Sequence, residues 1–139
     1  MYVIVVGGGR VGRSVAQSLM SRGHEVLVIE RLQAKAEKLK DDLGSVVITA
    51  DGCEAATLAA SGADRADVLI AATEQDEDNL VICQVARHRF HIENVVARIN
   101  QPRNERLFHA LGFQSTVNAV ESLVGGILQK LPSPVPQAR

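Results

Sequence analysis

Short apolar runs rich in β-branched residues recur along the chain, and most are followed by a stretch with helical spacing. The runs occupy residues 3–6, 26–29, 46–48, 68–71 and 95–97, with a weaker sixth at 115–118. They are continuous, not alternating, which is the pattern of a strand covered on both faces. Strand–helix alternation implies parallel strands joined by right-handed crossovers, with helices on either side. The expected fold is therefore α/β, a doubly wound, six-stranded parallel sheet of Rossmann-like type. It forms a single domain over residues 1–131 that ends in a C-terminal crossover helix.

The intervening segments suggest which faces are buried. Val11, Val15 and Leu19 share one face of a first helix, which Gly23 can close; Leu32, Ala36, Leu39 and Leu43 form a second stripe ending at Gly44. Pro102 suits the first turn of a helix carrying Leu107 and Leu111. The last helix has a wide apolar surface of Val120, Leu123, Val124, Ile127, Leu128 and Leu131, with no strand after it. It either packs on its own sheet or docks on a second subunit. Residues 132–139 read as a proline-rich tail or a linker.

The first run leads into Gly7-Gly8-Gly9-Arg10-Val11-Gly12, a G-x-G-x-x-G string in the context it requires, after a buried strand and before an amphipathic helix. Gly7 permits the tight turn. Gly9 lets a pyrophosphate approach the main chain, and Gly12 lets helix and strand pack closely. Amides at the helix start would then face the phosphates. Arg10 is either a phosphate contact or a solvated turn residue. Glu30 ends the second run, where an acid binds the adenosine ribose hydroxyls and repels a 2′-phosphate. NAD(H) is favoured over NADP(H), although Arg31 could soften that choice; ATP, ADP or AMP would fit the same adenosine seat.

Ligands in such sheets lie across the carboxyl ends of the strands. That rule nominates Asp51, Gly52, Thr73, Glu74, Arg98 and Asn100. Asp51 either accepts from the adenine amino group or caps a helix before Glu54. Asp76, Glu77 and Asp78 begin a helix, where its dipole favours negative charge, and Asn79 lies near enough to the strand-four loop to touch ligand.

These residues resemble the nucleotide-binding N-terminal domain of regulators of potassium conductance, also called KTN, typified by the N-terminal part of Trk-type potassium-uptake regulatory proteins. The resemblance runs from Val3 to about Leu131. It includes the glycine turn, Glu30, Ala50-Asp51-Gly52-Cys53, residues 62–67 leading to Ala71-Ala72-Thr73, Asp76-Glu77-Asp78-Asn79, and residues 97–102. It implies a cytoplasmic domain that binds NAD(H), or ATP/ADP in some relatives. Such domains form dimers or higher oligomers and regulate a membrane potassium translocating subunit. The implied nucleotide contacts are Gly7, Gly8, Gly9, Arg10, Val11, Gly12, Glu30, Asp51, Gly52, Thr73, Glu74 and Arg98. Glu121 stands where some relatives bind a cation at the dimer contact, but Val120 replaces the usual proline, and no metal is expected. Many members carry a further ligand-binding domain after the proline-rich boundary.

Composition narrows the alternatives. Of 139 residues, 15 Lys+Arg face 16 Asp+Glu, and the aromatics are three Phe and one Tyr. That offers neither the electrostatic footprint nor the stacking surface of a nucleic-acid binder. No apolar run approaches the eighteen or so residues of a membrane span, and the opening run reads as a strand and not as a leader peptide. Cys53 and Cys83 read as reduced thiols. The cofactor half of an oxidoreductase is a competing class, but His24, His88, His91 and His109 form no argued proton donor or metal set, and no catalytic residue is expected. A third reading is an assembly scaffold with a fixed nucleotide.

Overall fold

The computed structural model describes residues 1–132. Strands β1 (Tyr2–Val6), β2 (Glu25–Glu30), β3 (Val47–Thr49), β4 (Val68–Ala71), β5 (Asn94–Ile99) and β6 (Thr116–Asn118) form one sheet in the order β3-β2-β1-β4-β5-β6. Every pairing is parallel. The helices are α1 (Arg10–Ser21), α2 (Gln33–Leu43), α3 (Ala55–Ala60), α4 (Asp76–Phe90), α5 (Glu105–Ala110) and α6 (Ala119–Gln129). This is the expected doubly wound α/β sheet. Strand order reverses between β1 and β4, which opens a crevice at their carboxyl ends. The tail residues 133–139 lie outside the described residues.

β1 is central, with Val3 paired to both Val26 and Val68, and all five of its residues are buried. On one face Ile4, Val6, Leu69, Ala71, Val95, Ala97 and Ile99 join Leu58 of α3, Ile82, Cys83 and Ala86 of α4, and Phe108 and Phe113. On the other, Val3, Val5, Val26, Val28 and Val47 meet Ala16 of α1 and Ala36, Leu39 and Leu43 of α2. Each large apolar side chain so buried contributes about 1.5–3 kcal/mol by transfer from water. Coverage on this second face thins toward β5, where Val96 and Arg98 are only half-buried. The right half of the sheet therefore departs from the expected double cover, because α1 and α2 both serve its left half.

Several helix faces differ from their expected stripes. Val11 is 46% exposed, and α1 instead buries Gly12 and Ala16. Small residues win there because the helix starts directly against the glycine turn. Leu32 precedes α2 and is exposed, whereas Ala36, Leu39 and Leu43 are buried as expected. Val46 belongs to a 3-10 turn, not to β3. Pro102 opens a separate 3-10 turn before α5, where Leu107 and Leu111 face outward and Phe108 takes the core position. The sequence offers more than one apolar position in that helix, and it is the larger ring that joins the core with Phe113.

α6 bears on one of the two readings left open for the last helix, its packing on its own sheet. None of its residues is buried, and Leu123 and Ile127 are 69% and 61% exposed. It adds no residue to the buried core on either face of the sheet. No helix among the described residues is long and apolar enough to cross a membrane.

Candidate functional site

At the crevice, the chain leaves β1 at Gly7, whose φ of +111° only glycine adopts without strain. A side chain at Gly12 would drive into the Gly7 carbonyl oxygen, so α1 begins hard against the turn. A Cβ at Gly9 would meet nothing within 4 Å, leaving an open cradle beside the main chain. The first intrahelical bond runs from Arg13 N to Gly9 O at 2.9 Å. The amides of Arg10, Val11 and Gly12 therefore precede any helical acceptor and carry the positive end of the dipole.

Glu30 closes this loop from the side. It is 8% exposed, with Oε1 accepting from Gly8 N at 2.9 Å and Oε2 from Leu32 N at 2.7 Å. Its carboxylate thus binds the glycine turn to the end of β2. Each oxygen still has a lone pair for a ligand hydroxyl.

The far side of the crevice is built by buried polar side chains. Asn79 is fully buried; its Oδ1 accepts from Thr73 N at 3.0 Å and Thr73 Oγ1 at 2.7 Å. Its Nδ2 donates to the carbonyls of Thr73 and Arg98 at 3.1 and 3.0 Å. The expectation that Asn79 touches ligand is therefore corrected: it ties the ends of β4 and β5 together from behind. Asp76, 5% exposed, accepts from Asn100 N, Gln101 N and the side-chain amides of Asn100 and Asn104 at 2.7–3.0 Å. Burial alone would raise its pKa, but these donors hold the carboxyl below the usual aspartate value.

A single cleft of about 270 Å³ spans both sides. Of the residues expected at the site, Gly7, Gly8, Gly9, Glu30, Asp51, Gly52, Thr73, Glu74 and Arg98 line it. Arg10, Val11 and Gly12 do not: Arg10 and Val11 are exposed on α1, and Gly12 is buried beneath the turn. Asp51 does not cap α3, whose N-cap is Glu54; its Oδ1 accepts from Cys53 N at 2.9 Å within the connecting turn. Asn100 stands behind the wall, with Oδ1 accepting from Arg98 Nε at 2.8 Å.

The wall also contains residues that the sequence reading did not nominate for it, among them Leu32, Lys35, Cys53, Gln75 and Asp78. Lys35 was recoverable, since the first turn of the helix after Glu30 must border the same crevice. The others depend on how the loops close. Cys53 is a half-buried free thiol, and burial together with Asp78 and Asp51 pushes its pKa up to about 12. It is protonated and a poor nucleophile at neutral pH. Among the described residues, no cluster of three or more His, Cys, Asp or Glu could hold a metal ion.

Comparison with known proteins agrees with this architecture. The chain is 36% identical over 131 residues to a Trk system potassium uptake protein TrkA homolog of Methanothermobacter thermautotrophicus, covering 94% of this chain and 60% of that protein. It is 34% identical to the Trk system potassium uptake protein TrkA of Streptomyces coelicolor, covering 94% and 58%. The chain thus spans about 60% of the length of these relatives. The GsuK structure bound to ADP superposes with a TM-score of 0.76 at 26% identity, covering 93% of this chain and 34% of that one. The TrkA-N domain family matches residues 3–119. With its glycine turn, its acid at the end of β2 and its six parallel strands in this order, the chain belongs to the TrkA-N domain family.

Proposed function

We propose that this chain is the nucleotide-binding regulatory domain of a potassium transporter or channel, acting at the cytoplasmic side and without chemistry of its own. The observation that supports it most is the open cradle at Gly9, flanked by the buried Glu30 carboxylate and continuous with the β4–β5 wall. An adenosine diphosphate unit, as in NAD(H) or ADP, has the parts this cleft would bind. Glu30 would accept the ribose hydroxyls. The amides of Gly9, Arg10, Val11 and Gly12 would face the phosphates although the last three lie outside the cleft wall. Asp51 and Gly52 would border the adenine, and Thr73, Glu74 and Arg98 the distal half. GsuK, solved with ADP, supports an adenine nucleotide, and the TrkA relatives support a potassium-uptake partner.

Regulation requires two ligands to bind two conformations differently. A tenfold difference between members of a pair such as NAD⁺ and NADH, or ATP and ADP, supplies about 1.4 kcal/mol per site, and identical sites in an oligomer multiply it. The exposed apolar face of α6 would join such copies. Thermal-shift titration of the full chain with NAD⁺, NADH, NADP⁺, ATP and ADP tests the reading: at least one adenine nucleotide raises Tm, and Glu30→Gln reduces the effect about tenfold in apparent affinity. No shift from any of them would remove the proposal.

A further inference from the structure

Asn100 does not line the cleft, yet every polar atom of its side chain is used. Oδ1 accepts from Arg98 Nε at 2.8 Å; Nδ2 donates to Thr73 O at 3.1 Å and to Asp76 Oδ1 at 3.0 Å. Its main-chain N–H also donates to Asp76 Oδ1, at 2.7 Å. Asp76 is itself fixed by Gln101 N and Asn104 Nδ2, so the support is anchored in α4 and in the turn before α5.

The consequence falls on Arg98. Its guanidinium is gripped at the Nε edge, and both Nη groups have no hydrogen-bond partner among the described residues. Two other cations line the cleft, Arg31 and Lys35, and neither side chain makes a hydrogen bond among the described residues. Arg98 is thus the cleft cation with a built support. Fixing a long charged side chain before the ligand arrives removes an ordering cost from binding. It also leaves a planar pair of donors suited to a phosphate.

We propose that Asn100 is a positioning residue, holding Arg98 toward an anionic group beyond the first phosphate of an adenine nucleotide, so that the cleft favours a diphosphate over a monophosphate. This rests on the nucleotide reading above. Asn100 acts through Arg98, and Asp76 fixes Asn100.

Isothermal titration of the full chain with AMP and with ADP tests it, using the wild type, Asn100→Ala, Arg98→Lys and the double variant. Arg98→Lys keeps the charge but has no Nε edge for Asn100 to grip. The wild type binds ADP more tightly than AMP. Asn100→Ala weakens ADP about tenfold and AMP by less than about twofold, and Arg98→Lys does the same. The double variant is no worse than either single one, because both remove the same support. Equal losses for AMP and ADP, or additive losses in the double variant, overturn the proposal and assign Asn100 to the fold alone. If circular dichroism shows Asn100→Ala unfolded, Arg98→Lys decides: an unchanged ADP-to-AMP ratio refutes the positioning role. A wild type that binds AMP but shows no preference for ADP refutes this inference only, whereas a wild type that binds neither refutes the nucleotide reading and this inference with it.

Discussion

Two glycines of one turn do different work. At Gly12 a methyl group would strike the Gly7 carbonyl oxygen, a backbone atom that cannot rotate aside. Gly12→Ala should therefore lower stability by about 1–3 kcal/mol or more, read as the urea midpoint. Gly9 faces open space with an extended, non-glycine backbone (φ −73°, ψ −168°). Gly9→Ala should leave the midpoint nearly unchanged while weakening any nucleotide that shifts the wild-type Tm. If both variants unfold alike, the cradle is not open. The string G-x-G-x-x-G, flanked by strand and helix, predicted the close packing at Gly12 and an open main chain at Gly9. It did not predict that Arg10 and Val11 would stand outside the cleft wall, because that depends on the direction in which α1 leaves the turn.

At the scale of elements, α4 does more than cover the sheet. Three acids in its first turn, as the sequence suggested, and Arg87, His88 and Arg89 in its last complement the helix dipole. The sequence could not tell which of the three acids turns inward. Asp76 does, and it satisfies donors from the turn that follows β5. Its folded pKa lies below the ordinary value of about 3.9, so its stabilisation is complete above that pH and is lost as pH falls through the lower folded value. Asp76→Asn should cost about 1–3 kcal/mol at pH 7 and should flatten the acid limb of the stability curve. Urea melts from pH 7 down to pH 2 would show it; parallel acid limbs for wild type and variant would contradict the assignment. Helix faces were similarly only half legible. α2 buried three of the four residues of its stripe, but α5 buries Phe108 and leaves Leu107 and Leu111 exposed, a choice that depends on which face the helix turns toward the core.

For the whole molecule, the unusual feature is α6. Val120, Leu123, Val124 and Ile127 are 45–69% exposed on a helix that buries none of its residues. Substituting Leu123→Asp with Ile127→Asp should leave the melting of the isolated chain within about 0.5 kcal/mol, since neither side chain is in the core. The same pair should shift light-scattering mass from an oligomer to a monomer, with nucleotide binding retained. Loss of folding instead would place α6 in the core.

Local pattern alone determined the parallel α/β class, the six strands, the glycine turn and the acid after β2, because each follows from periodicity, from position relative to a strand end or from a backbone conformation that few residue types tolerate. What only the tertiary structure decided was which side chains meet. Glu30, expected to accept from a ribose, also binds the glycine turn, Asn79 and Asn100 work from behind the cleft wall, and α6 buries none of its residues. Those outcomes depend on long-range packing and on competition for hydrogen-bond partners, which no single stretch of sequence contains.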